Sequence, residues 1–264
     1  MNAPGGFGMS DGDVEALRRA KDTLEHAGLA ARIAALLGMP IEEAMKRLPS
    51  KWSGRINRAT ESSLMAALKT ALVTVEDRQR PSKDRLHRVL VGGTGAVGGF
   101  FGLPALAIEL PVSTMVMLRS IADIARSEGE NLASADAKLA CLEVFALGGR
   151  TGTDDATESA YFAVRAALAK AMADASKHFA ARGGVKAGAP AVARLIAQVA
   201  NRFGVTVTQK AVAQAIPVVG GAGGAAVNVL FMKHFQDMAG GHFTVRRLER
   251  QYGPDVVRRA YDSL

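Results

Sequence analysis

Two stretches of this chain carry no charged side chain at all. Residues 89–108, VLVGGTGAVGGFFGLPALAI, run for twenty residues, and residues 211–232, AVAQAIPVVGGAGGAAVNVLFM, for twenty-two. Runs of that length must be buried, either inside a protein core or in a bilayer, and a helix over the first would be roughly 30 Å long, about a bilayer core's thickness. Glycines recur four apart: Gly95 with Gly99, Gly98 with Gly102, Gly220 with Gly224. That spacing lines one helix face with bare backbone, against which a second helix can pack closely. Each glycine costs a helix about 1 kcal/mol relative to alanine, so tight packing has to compensate. Pro104 and Pro217 divide the two runs into shorter halves. The expected form is therefore a pair of Gly-rich apolar helical hairpin segments, echoed in VGGTG at 91–95 and VGGAG at 219–223.

The first run also fits G-x-G-x-x-G at Gly93, Gly95 and Gly98, behind the apolar VLV. A dinucleotide site needs more than that match. It needs a strand, an uninterrupted helix, a second strand and an acid about 20 residues on. Pro104 follows too soon, and STMVMLRSIADIAR has helical periodicity where the second strand should be. Tyr161 is followed four residues later by Arg165, not by the lysine of a short-chain dehydrogenase. No nicotinamide or other cofactor is expected.

The rest of the chain reads as helix. Asp11 or Asp13 is placed to cap a first helix ending near Gly38, Pro111 to open PVSTMVMLRSIADIARSEG, Ser134 or Asp136 to cap ADAKLACLEVFALGG, and Asp155 with Glu158 to cap a helix to about 182. Further helices are expected near 189–203 and 242–262. VTVT at 205–208 is one of the few strand-like stretches, and no βαβ alternation occurs. The fold class is all-α, a multi-helix bundle. Residues 1–12 read as a disordered lead-in and 13–264 as a single domain.

The formal net charge is +8, which suits an anionic partner. Arg78, Arg80, Lys83, Arg85 and Arg88 stand directly before the first uncharged run, where juxtamembrane cations attract anionic lipid. A second basic group spans Lys46 to Arg58. The group before the uncharged run has no interleaved Phe, Tyr or Trp, and no nucleic-acid-binding module is present, so nucleic acid is not the expected partner. One cysteine, Cys141, and a start without an apolar signal region suit a reducing cytoplasmic setting.

Candidate chemistry is sparse. Glu109 ends the first uncharged run, and Arg119 is a candidate partner for it, so the two form the candidate polar site. His234, Asp237 and His242 lie around a Gly240–Gly241 turn, but no third strong ligand accompanies them and no metal is expected. Cys141 sits in the apolar LACLEVF, the setting of a buried, inert thiol. Gln214 and Asn228 can hydrogen-bond between helices. No nucleophile elbow or other catalytic set stands out.

Three segments in order, GLPALAIELPVSTMVMLRSIADIARSEGENL, LACLEVFALGG and DDATESAYFAVRAALAK, followed by the ending AIPVVGGAGGAAVNVLFMKHFQDMAGGHFTVRRLERQYG, resemble the EcsC protein family of bacteria over roughly residues 40–255. The resemblance implies a helical, membrane-associated protein with no assigned activity, whose founding member is encoded beside an ABC transporter linked to protein secretion. Taken together, the expectation is a non-enzymatic protein on the inner face of the cell membrane. Its hairpins and basic clusters would engage anionic lipid, with a transport or secretion protein as partner. The competing reading is a helical enzyme or apolar-ligand carrier with Glu109 and Arg119 near its pocket.

Overall fold

The computed structural model describes residues 8–26, 28–46, 52–74, 103–149, 160–182, 189–215 and 220–264. Over these residues the chain is all helix: α1 (Asp11–Glu25), α2 (Leu29–Leu37), α3 (Ile41–Met45), α4 (Ser53–Thr74), α5 (Leu103–Ser127), α6 (Ala135–Leu147), α7 (Ala160–Arg182), α8 (Pro190–Ala215), α9 (Gly220–Tyr252) and α10 (Pro254–Ser263). The α1 cap is Ser10, one residue ahead of Asp11 and three ahead of Asp13. Its hydroxyl accepts the Asp13 N–H, and Met9 is already buried. Ser134 caps α6 in the same way. The pair Asp155 and Glu158 lies outside the described residues.

The long helix α9 is the spine. It packs on α1, α5 and α10, while α6 lies against α7 and α8, and α4 against α5 and α8. Beyond its first turn α6 has no solvent face: every residue from Leu139 to Leu147 is buried, so this part sits inside the bundle. Phe145 of α6, Phe203 of α8 and Phe231 and Phe235 of α9 join these helices in one aromatic cluster, with centroids 4.8 to 6.0 Å apart. Such contacts add about 0.5–1.5 kcal/mol per pair beyond area burial. Two turns depend on glycine. A Cβ at Gly149 would collide with the Arg202 carbonyl of α8, so the α6 end is closed by close backbone approach. Gly253 has φ 90° and swings the chain from α9 into α10, where Pro254 takes the first helical position.

Several local expectations give way to tertiary packing. VTVT is helix, in the middle of α8. Thr206 and Thr208 return their hydroxyls to the Phe203 and Gly204 carbonyls, and Thr206 and Val207 are buried. Pro111 does not open a helix but lies within α5, and Pro104 falls in that helix's first turn. Gly240–Gly241 is not a turn. α9 passes straight through it, because Gly241 packs where a side chain would strike Leu24 and the Ala20 carbonyl of α1.

The membrane reading is overturned. Among the described residues no helix is long and apolar enough to cross a membrane. The first uncharged run lies mostly outside them, as do Gly95, Gly98, Gly99, Gly102 and Pro217 and the cations Arg78, Arg80, Lys83, Arg85 and Arg88. No Gly-rich apolar hairpin is identified among the described residues. The described part of the second run belongs to the protein core: Gly224 is buried beside Val227, Asn228, Phe231 and Met232, on the helix that begins at Gly220. The large exposed apolar side chains are Leu36, Met45, Val112 and Val229, scattered singly on three helices and one short turn of helix. With the membrane contact go the roles built on it: lipid engagement, attachment to the inner face of the membrane, and the accessory part in secretion or transport.

Candidate functional site

Of the buried carboxylates, Glu109 and Glu143 are handled differently. Glu109 of α5 is buried and receives three donors. Lys210 Nζ of α8 reaches Oε1 at 2.6 Å, Asn228 Nδ2 of α9 reaches Oε1 at 2.7 Å, and Gln214 Nε2 of α8 reaches Oε2 at 3.0 Å. Burial alone would raise its pKa, but the Lys210 charge and the three hydrogen bonds hold it below the usual carboxylate range. Lys210 is fully buried and also lies 4.8 Å from the Phe231 ring centroid. Arg119, the cation the sequence offers, is exposed on the same helix and is not what Glu109 meets. Neither Glu109 nor Arg119 lines the cavity described next.

That cavity, about 440 Å³, opens between α6, α7, α9 and α10. Its α7 wall is one helix face: Phe162, Arg165, Ala166, Ala169 and Met172 recur at three- and four-residue steps. Asp136 and Glu143, seven apart on α6, face it from below. Arg246 and Glu249 come from α9, and Pro254, Asp255 and Arg258 from α10.

Glu143 is the unusual group. Its side chain is 6% exposed, and no hydrogen bond reaches its carboxyl among the described residues. His242 Nε2 lies 3.7 Å from Oε2, too long for a hydrogen bond. Burial pushes its pKa up to about 7; the Arg165 and Arg246 charges pull it down, and Asp136 and Glu249 push it up.

A polar chain leads away from it. His242 Nδ1 lies 3.0 Å from the Tyr161 hydroxyl, which accepts from Arg165 at 3.3 Å. The tyrosine oxygen accepts from the guanidinium and has its own proton to give; in the tautomer where that proton goes to Nδ1, the imidazole proton is on Nε2, toward Glu143. Burial, with Arg165 and Arg246 nearby, drives the His242 pKa well below its ordinary value, so the ring is neutral. Arg165 is itself anchored by a bidentate pair with Glu249, at 2.6 and 3.0 Å. At the α7 start, the Glu25 carboxylate of α1 accepts the N–H groups of Ala160 and Tyr161 and the Tyr261 hydroxyl, which fixes Tyr161 in place. The arrangement can therefore take a proton from, or give one to, a group in the cavity at near-neutral pH, with a neutral N–H donor alongside.

Sequence reasoning noticed most of these residues for other chemistry. Tyr161 and Arg165 entered as a failed dehydrogenase pair, and His242 in a metal-ligand trio that is set aside. The two histidines go separate ways: His234 bonds the Gly148 carbonyl at 2.8 Å, while His242 faces Tyr161. Glu143 was missed, though a lone acid inside the apolar stretch LACLEVFAL was the available signal. Cys141, two residues away, is buried with its thiol pushed up to about 12 by burial.

No curated protein and no solved structure gives a significant match. The sequence pattern of the EcsC protein family matches residues 12–248. The chain therefore belongs to the EcsC protein family.

Proposed function

We propose that this chain holds a small polar molecule in the cavity between α6, α7, α9 and α10 and exchanges a proton with it through Glu143. The observation that carries the reading is a buried carboxyl with no hydrogen-bond donor, at the floor of an open cavity, with its pKa pushed up to about 7. A buried acid kept only for structure is ordinarily paired, as Glu109 is; an unpaired one on a cavity wall is poised for acid–base work at neutral pH. His242 supplies a neutral hydrogen-bond donor beside it. Tyr161, Arg165 and Glu249 are positioning residues that set the ring's tautomer.

The test is a carbon-13 titration of the glutamate side-chain carboxyls in the full chain, with Glu143→Gln to assign the resonance. The expected midpoint for Glu143 is near 7. A midpoint near 4.5, that of an ordinary glutamate, overturns the reading.

A further inference from the structure

We infer that the occupant of the Glu143 cavity is an organic cation, a protonated primary amine on a short apolar body. This rests on the reading above and names the ligand class for that site.

The argument is from charge. Three arginines and four acids line the cavity. Every arginine already has a carboxylate: Arg165 has Glu249 at 2.6 Å, Arg246 has Glu130 at 2.7 Å and Asp136 at 2.8 Å, and Arg258 has Asp262 at 2.7 Å. Arg258 also lies over the Phe162 ring, at 4.2 Å from the centroid. An anionic ligand would have to pull one of these guanidiniums from its partner.

The acids differ. Asp136 and Glu249 are used by Arg246 and Arg165, whereas Glu143 and Asp255 have no cationic partner among the described residues. The groups facing Glu143 are Asp136 from its own helix, Tyr161 and Arg165 from α7, and His242, Arg246 and Glu249 from α9. None offers it a hydrogen bond. What the cavity lacks is one buried positive charge with N–H donors. An ammonium provides three donors and the charge, and the apolar surface of Ala166, Ala169, Met172 and Pro254 suits a short alkyl body.

An ammonium binds the ionised carboxylate, so its affinity follows the fraction of Glu143 that is deprotonated. With a midpoint near 7, butylammonium binds about tenfold more tightly at pH 8 than at pH 6. Butylammonium also lowers the Glu143 midpoint in the carboxyl titration, while butyrate and potassium chloride at equal ionic strength leave it in place. Glu143→Gln keeps the fold, because it mimics the protonated acid, and loses the pH preference. A Glu143 midpoint near 7 that butylammonium does not move, or moves no more than potassium chloride does, overturns the ligand assignment and leaves the proton-exchange reading standing. Tighter binding of butyrate than of butylammonium overturns it as well. A free-protein midpoint near 4.5 removes both.

Discussion

Glu109 and Glu143 are the same residue type at nearly the same depth, on neighbouring helices of one bundle, and they end in opposite states. Glu109 has a lysine at 2.6 Å and two amide donors, and its pKa falls. Glu143 has no donor, and its pKa rises to about 7. Burial is common to both, so the partner set decides. A buried carboxylate that is fully bonded is inert; one left without a donor is held in readiness, at a cost to stability whenever it ionises.

The largest expected effect lies on the paired side. Lys210→Met removes the charge that Glu109 was folded around and leaves an uncompensated buried carboxylate. A loss of about 3–5 kcal/mol is expected in urea unfolding at pH 7. A loss below about 1 kcal/mol would mean that Glu109 does not depend on its lysine, and the contrast with Glu143 would collapse.

Next comes the unpaired side. Because the folded-state pKa of Glu143 lies above its unfolded value of 4.5, its contribution to stability is full below pH 4.5 and is lost as pH rises toward about 7. Glu143→Gln escapes that loss. The variant should match the parent near pH 4.5 and exceed it by about 3 kcal/mol at pH 8, read from paired unfolding curves. A stability gap that does not grow with pH would place Glu143 among ordinary acids. His234 pulls the other way, since burial lowers its pKa to about 4, and stability from that group is lost as pH falls from 6.5 toward 4. The parent curve therefore needs the variant beside it to isolate the glutamate.

The smallest effect is expected at Arg119. It is exposed, and Arg119→Ala should change stability by less than about 0.5 kcal/mol. A larger loss would give it a part in the Glu109 region that its exposure does not suggest.

The helical class was readable from apolar spacing because that spacing is local. α5 and α10 show it plainly, even though the start of α5 was misplaced by reading Pro111 as an opening residue. Glu109 could be singled out because a lone acid beside an uncharged run is conspicuous. Its partner could not, since Lys210 is 101 positions away and only the packing of α5 on α8 brings them together. The Glu143 site was hidden for the same reason. Its parts lie on α6, α7 and α9, and no spacing within one segment relates Tyr161 to His242. The membrane expectation failed on a different point. An uncharged stretch reports that its surroundings are apolar, and the aromatic cluster around Phe231 and Phe235 provides such surroundings within the protein itself.

One rod spans both carboxylates. Asn228, which holds Glu109, and His242, which faces Glu143, are separated by fourteen residues of the uninterrupted α9, about 21 Å along its axis. Between them lies Gly240–Gly241, a pair of weak helix formers, and α1 rests directly against it at Leu24 and Ala20. The amino-terminal helix thus works as a splint across the soft point of the spine. Were it to lift away, His242, the residue next to Gly241, would be released before Asn228, fourteen residues back along the same helix.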